Sequence, residues 1–163
     1  LLVLGLVGCD DAQKAAVEKT EQLKAQKSAA TSSEAKQQLR LIVSGAELYF
    51  AAEHADPGGG LTVQTKVYPT AASWACTAGG EPGESASPND TNWSKEPWKS
   101  LGFKISSDHR FSYCYLSSRD NKKFAATAEL GDQLFCVTGN GTSGQSMISN
   151  VAELPLDQDC ELP

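Results

Sequence analysis

A chain of 163 residues with 14 Lys and Arg against 20 Asp and Glu, net charge −6, has room for one domain and a tether but not for two full domains. Its 40% hydrophobic and 21% charged residues suit a folded chain and exclude wholesale disorder. The acidic balance argues against nucleic acid as a partner, because phosphate binding needs clustered Lys and Arg.

Leu1 to Gly8 are all apolar or glycine, and the chain turns polar at Asp10 and Asp11, directly after Cys9. That step reads as a processing boundary. No basic stretch precedes the apolar run and the first residue is not Met, so the signal is expected to begin upstream of Leu1. Leu6-Val7-Gly8-Cys9 resembles the lipobox of bacterial lipoprotein precursors, in which the thiol receives diacylglycerol. The competing reading is an apolar strand or helix end with an incidental cysteine. The lipobox implies a membrane partner reached through lipidated Cys9, and a location in the cell envelope facing the periplasm or the cell surface. Asp10 resembles the inner-membrane retention signal of enterobacterial lipoproteins. A diacylated and N-acylated cysteine carries several chains, enough for stable anchoring where one chain is marginal. Residues 1–9 are therefore read as signal remnant and lipobox.

Residues 10–31 are rich in Ala, Lys, Gln and Glu with few large apolar side chains, which predicts a polar helical stalk. Thr31-Ser32-Ser33-Glu34 has the form of a capping box, predicting a new helix or a hinge there and a globular domain over 32–163. Ala35, Leu39, Ile42, Val43, Ala46, Tyr49, Phe50 and Glu53 then recur at steps of three and four, an amphipathic helix with one core-facing stripe. Asp56-Pro57-Gly58-Gly59-Gly60 ends it.

The Gly- and Pro-rich stretch 57–100, with Trp74, Trp93 and Trp98 set among Ser, Thr and Asn, predicts a long irregular region. Short β-rich runs follow at Phe103 to Ile105, Arg110 to Leu116, Lys123 to Glu129 and Gln133 to Thr138. Ser117 to Asn121 suits a hairpin loop and Gly131-Asp132 a tighter one. The expected fold class is α+β, a long N-terminal helix on one face of an antiparallel meander.

With Cys9 set aside, Cys76, Cys114, Cys136 and Cys160 remain, an even number that predicts two disulfides in an oxidising compartment. Three connectivities are open. Cys136–Cys160 is the preferred closure, and Cys114–Cys136 is disfavoured because a meander places a strand between them while a bridge needs Cα atoms within about 7 Å. No two of these cysteines have C-x-x-C spacing and neither histidine is near one, so no metal is expected.

Ser33 to Leu39, continuing to Glu47-Leu48-Tyr49-Phe50-Ala51-Ala52-Glu53-His54, resembles the second half of the long helix in type IV pilins of myxobacteria and their relatives. Three later phrases resemble the pilin order W-x-x-L-G-F, R-Y-x-Y and F-T-A-x-A. They are Trp98 to Phe103, His109 to Tyr113, and Phe124 to Ala128. The likeness spans roughly residues 32 to 138. It implies a pilin-like domain, non-enzymatic, in surface structure, adhesion or pilus-related assembly. Two features depart from the family. The F-T-L-I-E start and continuous apolar helix are missing, and the charged residues 10–31 could not enter a filament core without prohibitive desolvation. Gly131-Asp132-Gln133-Leu134 also lacks the clustered oxygens of an acidic calcium loop.

The chain offers little for catalysis. No G-x-S-x-G, H-E-x-x-H or P-loop phrase occurs. His54 after a helix end and His109 at a strand entrance read as capping or solvated residues. No cofactor is expected. Two function classes remain: an interaction module with protein partners at the cell envelope, or a ligand-binding lipoprotein using a pocket of Trp74, Trp93 and Trp98 for a small molecule or glycan. The alternative for these tryptophans is core packing.

Overall fold

The structure is a computed structural model that describes residues 9–55, 63–155 and 157–163; of residues 9–16, 24, 25, 27 and 28 it describes the backbone. The chain divides into two units, Leu1–Glu34 and Ala35–Pro163.

Helix α1 runs Cys9–Ala51 and contributes to both units. In the first unit its described side chains up to Ala30 are exposed, Val17 and Leu23 included, while Thr31 is buried. This matches a composition with little apolar surface to bury. No helix starts at Thr31. Thr31 to Glu34 are interior to α1, since the run contains neither Gly nor Pro to break it and a capping box is a weak signal where helical residues flank it. No helix among the described residues is long and apolar enough to cross a membrane.

In the second unit Ala35, Leu39, Ile42, Ala46 and Phe50 are buried, and Val43 packs against the same core. Glu53, expected on that stripe, is instead exposed in strand β1 (Glu53–Ala55), which pairs antiparallel with β2 (Val63–Thr65). The helix thus ends earlier than its apolar pattern implied. The Ala52 N–H donates to the Tyr49 carbonyl at 3.1 Å, and the His54 ring, its Nε2 2.6 Å from the same oxygen, stacks on the Tyr49 ring at 3.5 Å. Two donors on one terminal carbonyl close the helix. The expected Asp56 to Gly60 terminator lies outside the described residues.

Region 66–100 is mostly irregular, with β3 (Ala75–Cys76), a 3₁₀ turn (Pro88–Asp90) and α2 (Trp98–Leu101). The main sheet follows as β4 (Ser112–Ser117), β5 (Lys123–Leu130), β6 (Gln133–Asn140), β7 (Met147–Ile148) and β8 (Ala152–Leu154). Its order is β3-β4-β5-β6-β7, with β8 also pairing β6, and every pairing is antiparallel. Phe103 to Ile105, expected as a strand, has no ladder partner. Gly102 turns left-handed at φ 58°, the Phe103 N–H reaches back to the Trp98 carbonyl at 3.1 Å, and Phe103 and Ile105 spend their apolar character on the core instead. The β5–β6 turn is the two-residue Gly131-Asp132, with Gly131 at φ 58°.

The core lies between α1 and one face of this sheet. Tyr113 and Tyr115 of β4, Phe124, Ala126 and Ala128 of β5, and Phe135 and Val137 of β6 share that face with Leu39, Ile42 and Phe50. Gly45 admits the closest approach: a side chain there would run into the Leu101 carbonyl at the end of α2. Burial raises the Tyr115 phenol well above its usual range, and the nearby Tyr68 and Tyr49 phenols add to the effect; its hydroxyl donates to the Pro69 carbonyl at 3.3 Å.

Candidate functional site

Alternation along β4, β5 and β6 sends Cys114, Leu116, Thr127, Glu129, Leu134 and Cys136 to the face away from α1. Cross-strand register sets Cys76 opposite Cys114, Cys114 opposite Thr127, and Thr127 opposite Cys136. Both disulfides form on this face. Cys76 bonds Cys114, with Cα atoms 4.0 Å apart, and Cys136 bonds Cys160, with Cα atoms 5.7 Å apart. The expected Cys136–Cys160 closure is present, and Thr127 separates Cys114 from Cys136. Two disulfides in a chain of this size are the mark of an oxidising compartment outside the cytoplasm.

One disulfide links the edge strand β3 to β4, and the other ties the irregular C-terminal tail to β6. Cys76–Cys114 holds the segment carrying Trp74, and Cys136–Cys160 holds the tail carrying Asp159, Glu161 and Leu162. Between them the outer face opens into a groove of about 450 Å³ with Leu116, Thr127 and Leu134 lining it. Trp74 is 41% exposed on one wall. Glu129 lines the same groove, its Oε1 accepting the Thr127 hydroxyl at 2.9 Å.

The three tryptophans do not share one pocket. Trp98 is buried in α2, and Trp93 packs edge-on against Trp98 at 6.3 Å and against Phe103 at 5.9 Å. The Trp93 Nε1–H donates to the Pro88 carbonyl at 2.6 Å, which fixes the indole. A second concavity, about 460 Å³, opens beside Trp93, Trp98 and Phe103 with Lys99 and Lys104 at its edge. Trp74 belongs to the disulfide-walled groove instead, because β3 places it at the far edge of the sheet. Trp98 is a core residue, as the packing alternative for these side chains anticipated.

Comparison of the chain with protein-family models, with curated proteins and with solved structures gives no match. Function therefore has to be argued from the geometry.

Neither histidine is solvated. His54 caps α1 as described, and His109 is buried with its Nε2 3.0 Å from the Ala78 carbonyl and its Nδ1 without a partner. A carbonyl only accepts, so Nε2 carries the proton. Among the described residues no three of His, Cys, Asp and Glu gather as a metal cluster. Leu6 to Gly8 of the lipobox lie outside the described residues, and Cys9 is described only as the first backbone position of α1. The sequence marks Trp74 and an acidic tail at Asp159 pinned back by Cys160, but gives no signal that the two meet in one groove.

Proposed function

We propose that the chain is a non-enzymatic lipoprotein, tethered to a cell-envelope membrane through lipidated Cys9. Its type IV pilin-like domain acts by contact with envelope proteins, in surface structure, adhesion or pilus-related assembly. One observation carries the reading: the apolar members of all three pilin-like phrases meet the helix stripe in a single core. Trp98, Leu101 and Phe103 supply the first phrase, Phe111 and Tyr113 the second, and Phe124, Ala126 and Ala128 the third. Phrases that were separate in sequence are thus used for the same packing task, as a shared architecture requires.

The polar composition of 10–31 supports a tether in place of a filament-forming helix, because Val17 and Leu23 are too few for an apolar seam. Replacing Cys9→Ser should release the protein from membranes into the soluble extract, where it should sediment as a monomer at micromolar concentration. Membrane retention of that variant removes the anchor, and ordered filaments formed by it remove the tether reading.

A second reading is favoured by the Trp93 concavity, whose partly exposed indole and neighbouring Lys99 and Lys104 suit a small anionic or glycan ligand. Ligand-induced change in indole fluorescence that disappears in Trp93→Phe would support it.

A further inference from the structure

The geometry points to the disulfide-walled groove on the outer sheet face as a docking site for a basic, apolar peptide segment of a partner protein. This rests on the reading of the domain as a contact module and adds the surface and the chemistry of what it contacts.

Three features of the groove converge on that occupant. Its apolar part is real: Leu116, Leu134 and Leu162 line it, and Trp74 presents a partly exposed indole from one wall. Tryptophan is enriched among binding anchors because it supplies a large contact area with a polar edge. Its charge has one sign. Glu129, Asp159 and Glu161 line the groove and no Lys, Arg or His does, so a side chain bearing an ammonium or guanidinium is attracted while an acidic one is repelled.

The third feature is rigidity. Both walls are anchored covalently: Trp74 leads directly into β3, which is paired with β4 and bonded to it through Cys76–Cys114, and the irregular tail is bonded to β6 through Cys136–Cys160. The sheet side of the groove is lined by Leu116 of β4, Thr127 and Glu129 of β5, and Leu134 of β6, on three paired strands. A preformed site loses less ordering entropy on binding. The groove of about 450 Å³ takes an aliphatic side chain with its basic neighbours, not a folded domain.

The probe is a dye-labelled hexapeptide of two leucines flanked by lysines and capped by glycines, added to the full chain in a neutral detergent and read by fluorescence anisotropy. Saturable binding is expected, weakening as salt rises. Trp74→Ala should weaken it about tenfold or more. Glu129→Gln combined with Glu161→Gln, which touches no core residue, should weaken it about threefold and flatten the salt dependence. The same peptide with glutamates for lysines should not bind. Equal binding of the glutamate peptide, no saturable binding of the lysine peptide, or indifference to both variants overturns the proposal. Spermidine competing as well as the peptide overturns it too, by making the site one for small organic cations. Fractionation of Trp74→Ala distinguishes the two readings, since a sound anchor keeps that variant in membranes whatever the peptide does.

Discussion

Along β5 the side chains of Phe124, Ala126 and Ala128 enter the core against α1, while those of Thr127 and Glu129 face the groove. The same strand therefore serves two surfaces built by different means. On the helix side, stability comes from apolar area: aromatic rings packed at 4.7 to 6.3 Å and a helix stripe seated against them. On the outer side the covering segments are held by two disulfides together with the short β3–β4 and β6–β8 ladders. A surface held by packing has to be filled. On the outer face Cys114, Ala125 and Thr127 are covered as well, and the groove is the gap left between Trp74 and the tail.

The comparison can be broken most forcefully at the disulfides. Replacing Cys136 and Cys160 together by Ala opens a loop with a sequence separation of 24, for which loop-closure entropy predicts a loss of roughly 3 to 4 kcal/mol. Denaturant unfolding measures it, and a loss below about 1 kcal/mol would mean that packing, not the bond, holds the tail. On the helix side, Gly45→Ala forces a methyl group into the Leu101 carbonyl. Overpacking costs about 1 to 3 kcal/mol, and the helix preference of Ala over Gly returns up to about 1, so a net loss of about 2 kcal/mol or less is expected from the same measurement. A stabilised variant would show that the helix and α2 are not in close contact.

A smaller effect sharpens the comparison through pH. Burial raises the Tyr115 phenol well above its usual value, and burial also raises Tyr68 and Tyr49. The unfolded chain releases those protons near pH 10 while the folded chain retains them, so fewer protons are bound in the unfolded state and stability falls as pH rises. Their contribution is complete below pH 10 and is lost above it. Tyr115→Phe should flatten this alkaline decline in a thermal-melt series, and an unchanged slope would remove the burial account of that phenol.

Much of the helix face was legible in the sequence, because its signals are local. Ala35, Leu39, Ile42, Ala46 and Phe50 repeat at helical steps, and Tyr113, Tyr115, Phe124, Phe135 and Val137 repeat at strand steps, so each element declares its buried side before the partner is known. Where local preference and tertiary demand differ, the reading failed. Phe103 to Ile105 has strand-like composition but serves as a plug after α2, and Glu53 leaves the helix for a strand because Tyr49 and His54 close the helix first. The capping box at Thr31 was overridden by continuous helix on both sides. The groove was not legible at all. Its walls come from residue 74 and from residues 159–162, and only the disulfide register brings them to one face. Grouping Trp74 with Trp93 and Trp98 followed composition, which carries no information about which edge of a sheet a loop will cover.

Leu134 and Phe135 are neighbours on β6 that point to opposite faces, Leu134 into the groove and Phe135 into the core. Urea unfolding of Leu134→Ala and Phe135→Ala, measured side by side with the wild type, tests the two-surface account within one strand. Phe135→Ala should lose about 3 to 5 kcal/mol and Leu134→Ala about 1 kcal/mol or less. Equal losses, or a larger loss at Leu134, would mean that the outer face is a second core and not an open binding surface.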